Sequence, residues 1–320
     1  MEAIRRNEFD ELPLRLCSTI SRRGFFRAAF GAAATTLTGN LAMANEIIQR
    51  PIPKTGEPLP VIGLGTWQTF DVGAAMAARE PLKQVLREFV RLGGRVIDSS
   101  PMYGKSESVT GDLAAELGVQ KQLFLATKVW TRGRDAGVRQ MEESFRRLHT
   151  QVIDVMQVHN LVDYREHLVT LRRWKEQGKI RYIGVTHYTA SAYDELARVL
   201  ESETLDFVQL NYSVVEPAAD RRLLPLAADK RIAVLVNRPF ASGQLFGKVR
   251  GQPLPAWSNE FACTSWAQFF LKFVISHPAV TCAIPATSNL QHLIDNMQAG
   301  FGTLPTPARR KQMAEYLAAL

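Results

Sequence analysis

A short apolar run followed by an amphipathic stretch recurs along this chain at intervals of about 26–34 residues, and that recurrence constrains the fold more than any other feature. The runs begin near Val61, Arg95, Leu123, Val152, Ile180, Asp206, Ile232 and Val280, with a longer gap before the last. Segments such as "RVIDSS", "LFLATKV", "VIDVMQV" and "IRYIGV" read as apolar on both faces, as parallel strands covered by helices must be. Between them the apolar residues step by three and four. Val138, Met141, Phe145 and Leu148 share one helical face, and Leu168, Leu171 and Trp174 share another. Gly93-Gly94, Gly118 and Gly178 fall where a helix must stop before the next strand. Eight such units predict an α/β chain folded as a (β/α)8 TIM barrel. The alternative is an open doubly wound sheet. It lacks its usual G-x-G-x-x-G turn, because Gly63 and Gly65 begin one but Gln68 takes the third position.

Ahead of the first barrel strand, "RPIPKTGEPLPVIG" reads as a hairpin around Thr55-Gly56, expected to cap one barrel end. The long gap holds residues 239–255, rich in Gly and Pro, expected as a loop that acts as a lid over the strands' C-terminal ends. A last helix is expected over 307–320.

Residues 1–44 follow a different grammar. Ser21-Arg22-Arg23-Gly24-Phe25-Phe26-Arg27 precedes a charge-free, moderately apolar run that closes on Ala42-Met43-Ala44. This resembles a twin-arginine export signal, with cleavage after Ala44. The resemblance implies an exported, periplasmic protein of residues 45–320, the twin-arginine machinery as a partner, and no stable membrane span after cleavage. Cys17 would leave with the signal. Cys282 lies in the apolar run "AVTCAI", so it and Cys263 are expected as buried thiols rather than as a disulfide.

The net charge of +8 falls by two once these 44 residues are removed, and acids intersperse the basic residues on helical segments such as "MEESFRR". That is the pattern of a solvated face, not of a nucleic-acid-binding stripe. Hydrophobic residues at 46% exclude a disordered chain. Neither H-E-x-x-H, G-x-S-x-G nor a clustered cysteine set occurs, which argues against a hydrolase and against a metal site.

In a barrel the chemistry gathers at the C-terminal ends of the strands. Four polar residues stand there that a buried strand does not otherwise want: Asp98 at the end of "RVID", Tyr103 five residues later in "PMYG", Lys128 in "LATKVW" and His159 in "MQVHN". A lysine ammonium beside a phenol favours the phenolate and lowers the tyrosine pKa from about 10. An aspartate holds that lysine, and a neutral histidine can orient a carbonyl oxygen. The set suits proton delivery to an oxyanion, and the electrons must come from a bound cofactor.

These segments, with "GLGTW", "GVTHY", "FVQLNYS" and "IPATSNLQHLIDN", resemble the aldo-keto reductase family from about residue 54 to 305. The resemblance implies reduction of an aldehyde or ketone by a nicotinamide dinucleotide, NADPH ahead of NADH. Tyr103 would be the general acid, Lys128 and Asp98 its tuning pair, His159 the carbonyl-orienting residue, and Trp67 and Trp130 pocket walls. Gln209 would meet the carboxamide with Thr186 and His187, where the family usually has a Ser-Asn pair. Asn237 stands where an aromatic residue usually stacks on the nicotinamide, with Arg238 beside it. Thr287, Ser288, His292, Asp295 and Asn296 would take the adenosine end, although Ala286 replaces a usual lysine and His292 a usual arginine. An exported enzyme would carry its cofactor out already bound. The alternative is a redox-sensing nicotinamide-binding protein with slow turnover that signals through a partner.

Overall fold

A computed structural model describes residues 46–320; the arginine pair, Cys17 and the cleavage position after Ala44 lie outside the described residues. The chain enters as an antiparallel hairpin, β1 (Gln49–Pro51) on β2 (Pro58–Pro60). Eight parallel strands then hydrogen-bond in sequence order: β3 (Leu64–Gly65), β4 (Val96–Asp98), β5 (Phe124–Val129), β6 (Ile153–His159), β7 (Ile180–Thr186), β8 (Phe207–Asn211), β9 (Ala233–Asn237) and β10 (Cys282–Ala283). Helices α1 (Met76–Arg91), α2 (Ser106–Leu117), α3 (Arg134–Arg147), α4 (Tyr164–Glu176), α5 (Tyr193–Ser202) and α6 (Leu223–Asp229) follow β3 to β8 in turn. After β9 come α7 (Gln244–Lys248) and α8 (Trp266–Ile275), and after β10 come α9 (Leu290–Gln298) and α10 (Pro307–Ala319). This is the (β/α)8 barrel that the spacing predicts.

Short strands close the ring. The Gly63 N–H donates to the Ala283 carbonyl at 2.8 Å, the Ala283 N–H to Val61 at 2.9 Å, and the Gly65 N–H to Pro285 at 3.0 Å. Here "GLG" serves close approach, not a dinucleotide turn. A Cβ on Gly63 would sit 2.8 Å from the Val96 carbonyl oxygen, and one on Gly65 2.8 Å from that of Ile284.

Two apolar layers result. Outside the sheet, the helical faces read from the sequence bury Met141 and Leu148, with Val138 and Phe145 partly buried beside them, and Leu168, Leu171 and Trp174 of α4; Val85, Leu86 and Phe89 of α1 join the same layer. Inside the barrel, Phe124, Val155, Tyr182, Phe207, Leu235 and Cys282 form a separate cluster with Ile52 and Leu59 of the hairpin. The hairpin therefore stoppers the barrel floor. Hydrogen bonds fix it there: the Tyr182 hydroxyl donates to Glu57 at 2.7 Å, and the Arg50 guanidinium donates to the carbonyls of Ile275, His277, Pro278 and Val280.

The long gap differs from expectation. Residues 239–255 fold into a turn at Ala241–Gly243 and then α7, because Ala241 and Leu245 are buried and Phe240 and Phe246 pack on Phe270 of α8. Cys263 and Cys282 are both buried and free. No helix among the described residues is long and apolar enough to cross a membrane.

Ile52 and Leu59 are both fully buried. Truncating either to alanine is expected to cost about 2–5 kcal/mol, read as a lower urea midpoint at unchanged slope.

Candidate active site

Register brings the polar residues to one level. Lys128 on β5 aligns with Gln157 on β6, His159 with Thr186 on β7, and Thr186 with Gln209 on β8. Contacts between non-neighbouring strands show that these side chains turn inward. Gln209 Nε2 on β8 donates to Asp98 Oδ1 on β4 at 2.7 Å, and Gln157 Nε2 donates to the same oxygen at 3.2 Å.

Lys128 is fully buried, and its Nζ donates to Asp98 Oδ2 at 2.7 Å and to the Ser99 carbonyl at 2.6 Å. Burial alone would lower its pKa, but the attraction of Asp98 and of the Tyr103 oxygen outweighs burial and holds the ammonium above its ordinary value. Tyr103 stands in the turn between β4 and α2, its N–H bonded to the Ser100 carbonyl at 3.0 Å. Its ring centroid lies 5.0 Å from Lys128 Nζ. The net shift of its hydroxyl is upward, against the lowering expected from the lysine alone. Burial raises it, Lys128 pulls it down, and Asp98 pushes it up again. The free site thus keeps Tyr103 protonated, the state a proton donor needs.

His159 meets the Tyr103 ring edge-on, with centroids 5.9 Å apart. Burial, with Lys128 and His187 nearby, pushes its pKa down to about 2, so the imidazole is neutral. Its Nδ1 lies 3.1 Å from the Ser100 hydroxyl. Trp130 leans over it with centroids 6.4 Å apart and is 42% exposed; Trp67, at the end of the first barrel strand, is 49% exposed. Gln140 of α3 clamps Trp130 twice, accepting its N–H at 2.6 Å and donating to its carbonyl at 3.2 Å. His167 donates to the next carbonyl, that of Thr131, at 2.8 Å, so the loop carrying the indole is fixed.

Four residues that sequence reasoning passed over thus belong to this centre: Ser100, Gln157, Gln140 and His167. Strand alternation already placed Gln157 on the face of His159, two residues on. The others depend on contacts between elements and carry no local signal.

The proposed nicotinamide residues converge beside the tetrad. Thr186 Oγ1 donates to Gln209 Oε1 at 3.2 Å, and Asn237 Nδ2 reaches the same oxygen at 3.4 Å. His187 Nδ1 accepts from the N–H groups of Tyr188 and Thr189, and its ring stacks on Tyr188. Arg238 donates to the Tyr188 carbonyl at 3.1 Å. Buried polar atoms of this group, Asn237 Oδ1 and Arg238 Nε, have no hydrogen-bond partner among the described residues. A free amide oxygen and a free guanidinium N–H beside the tetrad fit a ligand that carries a carboxamide and phosphates, although Glu216 already lies 3.5 Å from Arg238 Nη2.

The residues proposed for the adenosine end lie in the segment between β10 and α9 and on α9 itself, and are less free. Both Asp295 oxygens accept from α8 and its cap, at 2.7 Å from Ser265 and 2.6 Å from Gln268. Thr287 Oγ1 is engaged with Asn289, Asn296 is buried, and Ser288 and His292 are exposed.

The barrel and its tetrad define an NAD(P)H-dependent carbonyl reductase. The chain belongs to the aldo/keto reductase family, whose model matches residues 61–308. It is 30% identical over 259 residues to methylglyoxal reductase YeaE of Escherichia coli strain K12, a match covering 78% of this chain and 88% of that one. An NADH-specific methylglyoxal reductase of the same organism is 30% identical over 238 residues, 64% of this chain and 71% of that one. Among solved structures, an aldo-keto reductase from Klebsiella pneumoniae in complex with NADPH superposes with a TM-score of 0.72 at 26% identity, over 85% of this chain and 96% of that one.

A histidine held neutral down to about pH 2 makes stability pH-dependent. The unfolded chain binds this proton near pH 6.5 and the folded chain does not, so stability is lost as pH falls below about 6.5. His159→Asn is expected to flatten that acid slope by up to about 1.4 kcal/mol per pH unit, measured by urea titrations at several pH values.

Proposed function

We propose that this protein is an exported reductase of small aldehydes and ketones, with 2-oxoaldehydes such as methylglyoxal as its first candidate substrates. The observation that carries the reading is the fully buried Lys128 ammonium, held by Asp98 and lying 5.0 Å from the ring centroid of a Tyr103 that keeps its proton. The substrate class rests on the methylglyoxal reductases among its relatives.

Nicotinamide, when bound, supplies the hydride that the chain cannot. Gln209, Thr186, His187 and Asn237 would hold its carboxamide, and Arg238 a phosphate. His159 orients the carbonyl with Nε2, and Tyr103 gives its proton to the carbonyl oxygen. Lys128 then stabilises the phenolate left behind, while Asp98 keeps the ammonium charged and in place. Trp67 and Trp130 wall the carbonyl in, and their apolar faces exclude water from the reacting oxygen. NADPH is proposed ahead of NADH, with Thr287, Ser288, His292 and Asn296 at the 2′-phosphate and adenine; the NADPH-bound Klebsiella structure supports this choice. Asp295 would join them only by giving up a bond to α8.

The twin-arginine pattern at Arg22-Arg23 supports export to the periplasm with cofactor already bound, and cleavage after Ala44. Replacing both arginines by lysine is expected to leave the protein in the cytoplasm, read by cell fractionation; undiminished export would refute the signal.

Tyr103→Phe is the direct test of the chemistry. It is expected to lower methylglyoxal reduction by at least about 100-fold while NADPH still quenches tryptophan fluorescence. Turnover near that of the unsubstituted enzyme would remove Tyr103 from the proton step. With the donor pKa raised above about 10, the reduction rate is expected to hold through neutral pH and to fall only in alkali, where the hydroxyl is lost.

A further inference from the structure

We infer that Ser100 sets the tautomer of His159 and is thereby a positioning residue for carbonyl binding. Ser100 is fully buried two residues beyond β4, and its Oγ lies 3.1 Å from His159 Nδ1. The hydroxyl's other contact is a donor, the Met102 N–H at 3.4 Å. Among the described residues, Nδ1 is therefore the sole acceptor for the Ser100 proton. A buried hydroxyl that already receives an N–H gives its own proton to the acceptor it has, because leaving it unbonded costs free energy.

The consequence passes through the ring. With Nδ1 bare, the imidazole's single proton sits on Nε2. Nε2 makes no hydrogen bond among the described residues, and His159, 6% exposed as a residue, has Tyr103 and Trp130 beside its ring. A carbonyl oxygen placed there meets two donors, the Tyr103 hydroxyl and Nε2–H. The opposite tautomer would leave the Ser100 proton without an acceptor and would turn a lone pair toward the carbonyl oxygen.

This assignment rests on the reductase reading for its purpose, but its test does not. In 15N spectra of the histidine-labelled protein without substrate, His159 is expected to show a protonated Nε2 and a bare Nδ1. The reverse pattern in the unsubstituted protein overturns the inference, whatever the enzyme reduces. Ser100→Ala is expected to give a mixture of tautomers and to lower kcat/KM for methylglyoxal about fivefold, with Ser100→Thr, which keeps the hydroxyl, restoring both. A His159 spectrum unchanged by Ser100→Ala also overturns it. The expected spectra in a protein that reduces no carbonyl would defeat the proposed function and leave the tautomer assignment standing.

Discussion

A lysine ammonium with no exposed surface sits inside this barrel, and the polar level around it is built to make that charge tolerable. An isolated buried ion is far too costly to keep charged. Asp98 at 2.7 Å and the Ser99 carbonyl at 2.6 Å stand in for water around Lys128, and Gln157 and Gln209 donate to the remaining Asp98 oxygen. Strands β4, β5, β6 and β8 each contribute to that one cluster. A slip of one residue in any of them would turn its polar side chain toward the helices and strand a charge. The catalytic arrangement and the strand register are in this sense one constraint.

From that centre the electrostatics spread outward to two neutral groups. Tyr103 remains a phenol because burial and Asp98 together outweigh the pull of Lys128, and His159 remains an imidazole because burial and the same lysine oppose a second cation. One charge therefore has two effects. It pulls the Tyr103 pKa downward, which in the proposed proton step would favour the anion left behind, and it helps to keep His159 uncharged. The apolar rings of Trp67 and Trp130 add no charge to this balance.

The sequence made the barrel legible because burial on both strand faces and the helical step of three and four are local patterns. The tetrad was legible for a related reason: Asp98, Lys128 and His159 are polar residues at strand ends where an apolar one would pack as well. What depended on distance between elements was not. Ser100 and Gln140 look like ordinary loop and helix residues until the fold sets them against His159 and Trp130. The upward shift of Tyr103 required knowing what surrounds its hydroxyl, and composition carries no such information. Residues 239–255 look like a loop by their glycines and prolines, yet Phe240 and Phe246 find Phe270 and fold the segment. Likewise, Asp295 has the right type and place for a nucleotide, but Ser265 and Gln268 take both of its oxygens.

The hairpin closes one end of the barrel. Ile52 and Leu59 seal the floor below the polar level, and Arg50 pins the seal to the end of α8. On the proposed reading, substrate and solvent would reach Lys128 and Tyr103 from the opposite end, where the strands' C-terminal ends lie. In the proposed reaction, whatever occupies that mouth therefore also governs how the Tyr103 phenolate regains its proton.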